Sequence, residues 1–416
     1  MGGAREKGFP MAAAPQFAFC TLAVLAAFAA FPARAATTDV VYSFAGDEDG
    51  EYTDTDLVMD ASGNIYGTSV QGGTFSSGTV WRLSPSGDTW VHTVLYSFTG
   101  GADGGEPYKG VTLDASGNLY GTAVTGGSGG CEGGCGVVYK LTNTNGTWTQ
   151  SVVHAFTGED GSGPGAGLTI GDDGDIYGMT PTGGALGLGT IFRLHQKKNG
   201  TWTLEDIHTF TGGADGTAGS VGRLVFRGGH IYGTAVAGGA YGEGTVYELT
   251  PARHGEWPFR TIYSFKGPPD GGFAYGGMVF DGLGNLYGTA YHGGANDFGC
   301  VFQLTPRQNG EWKESVLYSF KGGKDGESSI GNLVLDQSGN LYGTTSAGGS
   351  PGFGVIFALT PASRHKWKES VVHTFQGSPD GAFAYNGMVD SGTGTFYGVT
   401  VHGGVDDEGA IFAFTP

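Results

Sequence analysis

Residues 316–375 read VLYSFKGGKDGESSIGNLVLDQSGNLYGTTSAGGSPGFGVIFALTPASRHKWKESVVHTF, and this stretch decides the fold. Four runs in it are typical of β-strands because they are short and rich in apolar, β-branched and aromatic residues: Asn332–Leu335, Leu341–Thr345, Val355–Thr360 and Trp367–Phe375. Glycine, asparagine and aspartate, which favour turns, separate the runs. The stretch therefore predicts four antiparallel strands joined by short loops.

The same unit recurs along the whole chain. Val-Leu-Tyr-Ser-Phe and its variants end at seven phenylalanines: Phe44, Phe98, Phe156, Phe210, Phe265, Phe320 and Phe375. The intervals between them are 54, 58, 54, 55, 55 and 55 residues. Four strands at this period favour a β-propeller, whose blades repeat every ~40–50 residues. We predict an all-β fold, a seven-bladed β-propeller of four-stranded antiparallel blades.

The two ends of the repeat region hold the parts of one blade. Asp39–Phe44 is a lone fourth strand, and the chain stops at a third strand, Ala410–Pro416. Pairing these two strands would complete the seventh blade and hide both of their edges. We therefore predict a single domain over residues 36–416, closed by pairing of the N- and C-terminal strands.

Residues 1–35 have the pattern of a secretory signal peptide. Arg5 and Lys7 give a basic start, Phe17–Phe31 is apolar, and Ala33-Arg34-Ala35 fits a cleavage site. The apolar run has 15 residues, fewer than the roughly 20 that a membrane-spanning helix needs. A permanent anchor is the alternative. We expect cleavage, no transmembrane segment afterwards, and secretion to the extracellular or periplasmic space.

Composition excludes several classes of protein. Glycine accounts for 83 of 416 residues, but no Gly-X-Y period indicates collagen. A chain that is 39% hydrophobic and 12% aromatic can build a core, which argues against disorder. The net charge is −18, and removal of residues 1–35 leaves 18 basic and 38 acidic residues. We expect no nucleic-acid partner, and we expect a monomer.

Several residue types occupy one position in every repeat, which favours structural roles for them. The tyrosines could form a row of binding groups, but inter-blade packing explains seven identical copies more simply. The glycines are predicted to be turn residues with positive φ. The tyrosines are Tyr66, Tyr120, Tyr177, Tyr232, Tyr287, Tyr342 and Tyr397, and the glycines are Gly63, Gly117, Gly174, Gly229, Gly284, Gly339 and Gly394.

An Asp-Gly pair follows each phenylalanine in the loop between repeats. Its aspartate is predicted to cap a tight turn through side-chain-to-backbone hydrogen bonds. A calcium site is the alternative, but it needs several oxygen ligands around one ion, so no cofactor is expected. The aspartates are Asp49, Asp103, Asp160, Asp215, Asp270, Asp325 and Asp380.

Three cysteines lie beyond the leader. Cys131 and Cys135 are close enough in sequence to form a loop disulfide in an oxidising compartment. A metal-binding pair is the rival interpretation, but no further Cys or His cluster completes a zinc site, so no metal is expected. Cys300 is predicted to be a small buried residue.

The repeat also resembles a known family. Gly-Asn-Leu-Tyr-Gly-Thr at Gly117–Thr122, Gly284–Thr289 and Gly339–Thr344, the following Gly-Gly, and Val-Leu-Tyr-Ser-Phe with Gly-Gly-x-Asp-Gly look like the Gloeo/Verruco ("GloVer") tandem repeat. The resemblance covers residues 39–416. It implies a secreted or surface-attached bacterial repeat protein of unassigned biochemical function, and it supplies no catalytic residues.

Functional candidates are sought where the repeats differ. The residue before the Gly-Gly pair is a histidine only in the fifth and seventh repeats, as His292 and His402. The loops that precede these two repeats also stand apart, because both contain Phe-Ala-Tyr, ending at Tyr275 and Tyr385. The predicted ligand-binding residues are His292, Tyr291, Asp297, His402, Asp406, Asp407, Tyr275 and Tyr385.

These groups allow three classes of function. They could bind a glycan or protein partner through one loop face, which is our prediction. His292, His402, Tyr275 and Tyr385 could instead be acid and base of a polysaccharide lyase or hydrolase. Cations that would neutralise a substrate carboxylate are sparse, with Lys321 and Lys324 between the two repeats. A purely structural repeat protein is the third reading, in which the two repeats are alike through recent duplication.

Overall fold

The computed structural model describes residues 1–3, 36–219, 222–363 and 366–416. Within them the predicted architecture is confirmed, because seven four-stranded antiparallel sheets form the blades of a β-propeller. The predicted leader lies outside the described residues except for residues 1–3. The helical elements that lie wholly within the described ranges are three short 3₁₀ turns, Asp47–Asp49, Arg253–Gly255 and Gly323–Asp325. None of the helices described there has the length and apolar character needed to cross a membrane.

Each blade runs from a short first strand to a long fourth strand, and its strands pair in chain order. The strands are, in blade 1, Val58–Met59, Ile65–Ser69, Thr79–Ser86 and Thr89–Ser97; in blade 2, Val111–Leu113, Leu119–Ala123, Val137–Thr144 and Thr147–Ala155; in blade 3, Thr169–Ile170, Ile176–Thr180, Thr190–Gln196 and Trp202–Thr209; in blade 4, Val225–Arg227, His230–Ala235, Thr245–Leu249 and Phe259–Ser264; in blade 5, Val279–Phe280, Leu286–Ala290, Cys300–Pro306 and Trp312–Ser319; in blade 6, Val334–Leu335, Leu341–Thr344, Val355–Ala362 and Lys366–Thr374; and in blade 7, Val389–Asp390, Phe396–Thr400 and Ala410–Thr415.

Blade 7 is completed by the strand Thr37–Ser43 from the other end of the repeat region. This strand pairs antiparallel with Ala410–Thr415, from Thr37 opposite Thr415 to Ser43 opposite Ala410. The predicted closure is therefore confirmed. The pairing covers the outer edge of Ala410–Thr415 and gives blade 7 the same four strands as the other blades.

The glycine of the Tyr-Gly motif is required by an aromatic ring on the neighbouring strand. Gly343 lies opposite Phe357 in the sheet. A Cβ atom at Gly343 would lie 2.6 Å from that ring, too close for any side chain. The same close approach occurs in every blade, where the partner rings are Trp81, Tyr139, Phe192, Tyr247, Phe302, Phe357 and Phe412. The motif thus makes room for the core aromatic of its own blade.

The repeated tyrosines pack between blades, as predicted. In six blades the tyrosine contacts a tryptophan on, or just before, the fourth strand of the next blade, for example Tyr66 with Trp148 and Tyr397 with Trp90. Tyr342 instead packs on Phe396 and Phe414, since the fourth strand of blade 7 brings no tryptophan to it. The other four contacts join Tyr120 to Trp202, Tyr177 to Trp257, Tyr232 to Trp312 and Tyr287 to Trp367.

Glycines and cysteines also occupy defined places. The seven predicted turn glycines have φ between 79° and 91°, which confirms the prediction of positive φ for them. Cys131 and Cys135 form a disulfide in the loop between the second and third strands of blade 2. Cys300 is a free cysteine and is fully buried, as predicted.

Candidate functional site

Two sets of loops lie together on one face of the ring. In each blade the loop that enters the blade pairs with the residue before the Gly-Gly pair, as Glu51 pairs with Gln71. In blades 5 and 7 this bridge lengthens to two residues, so that Gly272 lies opposite His292 and Ala382 opposite His402. The residues in which the repeats differ are therefore presented on a common face.

The aspartates of the Asp-Gly pairs hold the entering loops in shape. Each accepts a hydrogen bond from a backbone N–H four or three residues earlier, as Asp49 does from Ala45. Each also contacts the tyrosine or histidine two residues before the repeat phenylalanine, as Asp49 does Tyr42. The predicted turn-capping role is confirmed. No group of three or more His, Cys, Asp or Glu side chains in the described ranges is placed to hold a metal ion.

One position in the entering loop has a left-handed backbone in six of the seven blades. Gly163 occupies it in blade 3, where positive φ brings no steric strain, and in blade 4 Ala218 takes the equivalent place while the next residue, Gly219, has the positive φ. The other five blades place a side chain there, with φ between 52° and 59°: Tyr52, Glu106, Phe273, Ser328 and Phe383. Side chains held in this region cost free energy and often mark functional surfaces. Three of the five are aromatic and stand on the loop face.

A cavity of about 550 Å³ opens on this face at the centre of the ring. Aromatic side chains from three blades line it, and polar groups complete the wall. The aromatic residues are Tyr108, Tyr275, Tyr291, Phe383 and Tyr385, and the polar residues are Asp54, Lys109, Ser328 and Ser346. We call this cavity the channel mouth. Its size and its mixture of aromatic and polar groups are typical of small-ligand sites.

The floor of the channel mouth is a buried ion pair. Lys109 is bonded to Asp54, with only 6% and 12% of the two side chains exposed. Lys109 Nζ also donates to Asn386 Oδ1 at 2.7 Å, and Asn386 Nδ2 donates to Asp54 Oδ1 at 2.8 Å. The three groups come from blades 2, 1 and 7, and they satisfy one another across the ring. The positive charge of Lys109 is thereby neutralised within the protein.

A second polar cluster includes Arg223 and Asn332, which line another cavity, of about 530 Å³. Arg223 Nε is 3.2 Å from Asp56 Oδ2, and Asn332 Nδ2 lies 3.4 Å from the same carboxylate. Arg223 also donates to backbone carbonyls of Leu168 and Val111 at 2.9 and 2.8 Å. Arg223, Asp56 and Asn332 occupy the same repeat position in blades 4, 1 and 6, and in the other four blades this position is glycine. A Cβ at one of these glycines, Gly167, would lie 2.5 Å from the Arg223 side chain. These glycines leave room for the side chains that cross the channel.

The candidates from blade 5 separate into two groups. Tyr275 and Tyr291 line the channel mouth, and their rings are 5.7 Å apart in an edge-to-face arrangement. His292 is 47% exposed and is not among the described residues that line the channel mouth. Its Nδ1 lies 3.8 Å from Asp297 Oδ1, an oxygen that also accepts a hydrogen bond from the Gly293 N–H.

The candidates from blade 7 separate in the same way. Tyr385 lines the channel mouth. His402 and Asp407 instead line a second cavity of about 580 Å³, which Phe353, Gln376 and Phe383 also line. We call it the side groove. Asp407 accepts a hydrogen bond from the Gly403 N–H, as Asp297 does from Gly293, and Asp406 is exposed.

Two tyrosines of the channel mouth, Tyr385 and Tyr108, have a raised pKa and are held in their neutral form. Burial raises the pKa of Tyr385, and the neighbouring Tyr52, Asp54 and Tyr291 raise it further. Burial and the adjacent Tyr52, Asp54 and Glu106 likewise raise the pKa of Tyr108. A raised pKa lowers the fraction of phenolate, the form of tyrosine that accepts a proton, at neutral pH. The hydroxyls are thus suited to hydrogen bonding with a ligand.

Sequence reasoning missed Asp54, Tyr108, Lys109 and Asn386. The signal was available for Asp54 and Tyr108, because they align with Tyr275 and Tyr385, three residues before the apolar residue that precedes or begins each first strand. The full set at this position is Asp54, Tyr108, Gly165, Val221, Tyr275, Ile330 and Tyr385, of which Val221 lies outside the described residues. A comparison of the repeats at this position, as well as at the residue before Gly-Gly, would have found the channel mouth.

The fold and the channel mouth together define a class, that of closed seven-bladed β-propellers with a central cavity on one loop face. Within that class the chain belongs to the Gloeobacter/Verrucomicrobia repeat family, whose model matches residues 27–228, 128–328 and 219–416. The resemblance drawn from the repeat motif is confirmed. No curated protein sequence matches the chain.

Solved structures are similar in fold. A protein from Lactobacillus plantarum is 12% identical with a TM-score of 0.50, and the match covers 81% of this chain and 88% of that one. An ancestral GH74 enzyme is 12% identical with a TM-score of 0.49, covering 76% and 43%. A protein of unknown function from Dyadobacter fermentans is 12% identical with a TM-score of 0.44, covering 91% and 97%. At these identities the likeness carries no functional argument.

Proposed function

We propose that this protein binds a glycan at the channel mouth. The observation that carries the proposal is the convergence of Tyr108, Tyr275, Tyr291 and Tyr385, from three blades, on one cavity. Sugar rings have apolar C–H faces that pack on aromatic rings, and their hydroxyls need paired donors and acceptors. Asp54, Ser328, Ser346 and the tyrosine hydroxyls offer such partners in the same wall.

Binding fits the site better than catalysis. A lyase needs a group that removes a proton and a cation that neutralises the substrate carboxylate. The raised pKa of Tyr385 disfavours it as a base, and Lys109 is already paired with Asp54. Neither His292 nor His402 is among the described residues that line the channel mouth, and the His292 ring only packs edge-to-face on Tyr291 at 4.8 Å.

A glycan array followed by calorimetry tests the proposal. The wild-type protein is expected to bind at least one glycan, and Tyr275→Ala and Tyr385→Ala should each weaken it about tenfold or more, since each removes one packing surface. Tyr241→Ala is the matched control, because Tyr241 is 59% exposed on a loop outside the channel mouth. Equal losses in all three variants, or no binding at all, would contradict the proposal.

Two other experimental outcomes would favour a different function for the protein. Release of an unsaturated product from a uronate-containing polysaccharide, abolished by His292→Ala or His402→Ala, would establish the lyase alternative. Retention of a protein partner that is lost in Leu186→Ser but kept in Tyr385→Ala would favour protein binding at the rim, where Leu186 is 59% exposed.

We also propose that the protein acts outside the cytoplasm after loss of residues 1–35. The Cys131–Cys135 disulfide supports this, because such bonds persist in oxidising compartments. N-terminal sequencing of the secreted protein is expected to begin at Ala36. A retained Phe17–Phe31 segment would support the anchor instead.

A further inference from the structure

The channel mouth and the side groove share one wall. Phe383 lines both cavities. Its ring lies 6.4 Å from Tyr385 on the side of the channel mouth, and 5.8 Å and 5.6 Å from His402 and Phe353 on the side of the groove. The Phe383 backbone is left-handed, with φ of 59°, and its N–H donates to the Phe353 carbonyl at 2.9 Å. The ring is thus held as a divider between two adjoining cavities.

Each cavity has the size of a small-ligand site. The volumes are about 550 Å³ for the channel mouth and about 580 Å³ for the side groove. Both combine aromatic rings with polar groups, and in the groove these are Phe353 and Phe383 with Gln376, His402 and Asp407. A short ligand needs only one of the two, whereas a chain can occupy both.

The charges around the two cavities disfavour an anionic ligand. Among the described residues that line the groove none is lysine or arginine, and Asp407 is an exposed carboxylate. Burial and the neighbouring Glu51 raise the pKa of Glu408 beside it, which indicates crowding of acidic groups. In the channel mouth Lys109 is neutralised by Asp54. An acidic sugar would find repulsion in the groove and no free cation among these lining residues.

We infer that the channel mouth and the side groove are consecutive subsites for one extended, uncharged polysaccharide chain, which passes over Phe383 into the groove between blades 6 and 7. This inference rests on the proposed glycan binding and adds the length and charge of the ligand. The chain packs on tyrosine in the first subsite and on Phe353, Phe383 and His402 in the second.

Blade 5 provides an internal control. Phe273 and His292 form the same aromatic–histidine pair there, with ring centroids 5.4 Å apart, and the Phe273 N–H donates to the Glu243 carbonyl at 2.9 Å. Glu243 takes the place that Phe353 has in blade 6, and its carboxylate lies against Gly272. The second aromatic wall is thus replaced by a charge. We expect His292 to contribute nothing to the gain in affinity with chain length.

The test is calorimetry with β-1,4-linked oligosaccharides of glucose, xylose, mannose and N-acetylglucosamine, from two to six residues long. For the sugar that binds, affinity should rise about tenfold or more from dimer to hexamer. His402→Ala and Gln376→Ala should remove most of this gain and change dimer affinity less than about twofold. His292→Ala should leave the gain from dimer to hexamer unchanged, because its ring contact with Tyr291 acts on the first subsite and so on both lengths alike.

The Phe383 variant is designed to fold. Phe383→Gly removes the ring but suits the left-handed backbone, as Gly163 does in blade 3. It should weaken the hexamer about tenfold or more while leaving the thermal midpoint unchanged or higher.

Three results would overturn the inference. Equal dimer and hexamer affinities, both lost in Tyr275→Ala, would end the two-subsite account and leave the proposed function standing. A hexamer of galacturonate that binds as tightly as the neutral chain would end the charge argument. Failure of every oligosaccharide, with the protein folded, would end both the inference and the proposed function.

Discussion

The blade bodies and the channel mouth are built from the same repeat, but they use it differently. In the bodies each position performs one task seven times, as with the glycine that makes room for a core ring and the aspartate that caps a turn. At the channel mouth aligned positions hold Asp54, Tyr108 and Tyr385, and their side chains meet across the ring. Repetition therefore builds the scaffold, and departures from it build the candidate site.

The largest expected effect on stability comes from breaking the buried ion pair at the channel mouth. Lys109→Met leaves Asp54 without its partner at a site where both side chains are almost fully buried, and should cost about 3–5 kcal/mol in the free energy of unfolding. Urea denaturation measures this. The double variant Lys109→Met/Asp54→Leu should recover most of the loss, because replacing both charges removes the unpaired one. A Lys109→Met variant as stable as the wild type would show that Lys109 and Asp54 do not form a buried ion pair at the channel mouth.

The next largest expected loss of stability comes from adding a methyl group to the closely packed core of a blade. Gly343→Ala would place a methyl group 2.6 Å from the ring of Phe357, which has no exposed surface. We expect a loss of about 2–3 kcal/mol in the free energy of unfolding, since a packed core does not absorb the added carbon. Gly282→Ala is the control, because a Cβ there meets nothing within 4 Å. Similar stabilities for the two variants would remove the explanation given for the Tyr-Gly motif.

The smallest expected effect is on the pH dependence of stability, and it comes from two carboxyl groups in the blade bodies. Burial and the nearby Asp270 raise the pKa of Glu314 from 4.5 to about 7, and burial and Asp325 do the same for Glu369. The folded chain therefore holds these protons more tightly than the unfolded chain, so stability falls as pH rises from 4.5 to 7. Both carboxyls keep some exposure, so screening limits each contribution to about 1 kcal/mol.

Glu314→Gln and Glu369→Gln should each flatten this pH dependence, as measured by thermal unfolding at pH 4.5 and pH 8. Glu311→Gln serves as the exposed control. If the variants follow the wild-type profile, the carboxyls are not protonated in the folded protein near neutral pH.

The fold could be predicted because its determinants are local and repeated. The period, the strand runs and the unpaired strands at the two ends are visible in the sequence, and strand pairing confirms them. The functional candidates Tyr275, Tyr291 and Tyr385 were found because they stand in two unusual repeats, and they line one cavity.

The floor of the site could not be predicted in the same way. Lys109 meets Asp54 over 55 residues and Asn386 over 277, and only closure of the ring brings them together. The two candidate histidines show that a shared repeat position does not guarantee a shared environment. His292 and His402 occupy the same repeat position, but their surroundings differ because Glu243 stands in one blade where Phe353 stands in another.

A crystal structure with the tightest-binding oligosaccharide tests the central claim most directly. We predict sugar rings in van der Waals contact with Tyr275, Tyr291 and Tyr385, above the Lys109–Asp54 pair. A sugar bound along the outer strands of the blades, with the channel mouth empty, would contradict the view that the departures from the repeat form the site.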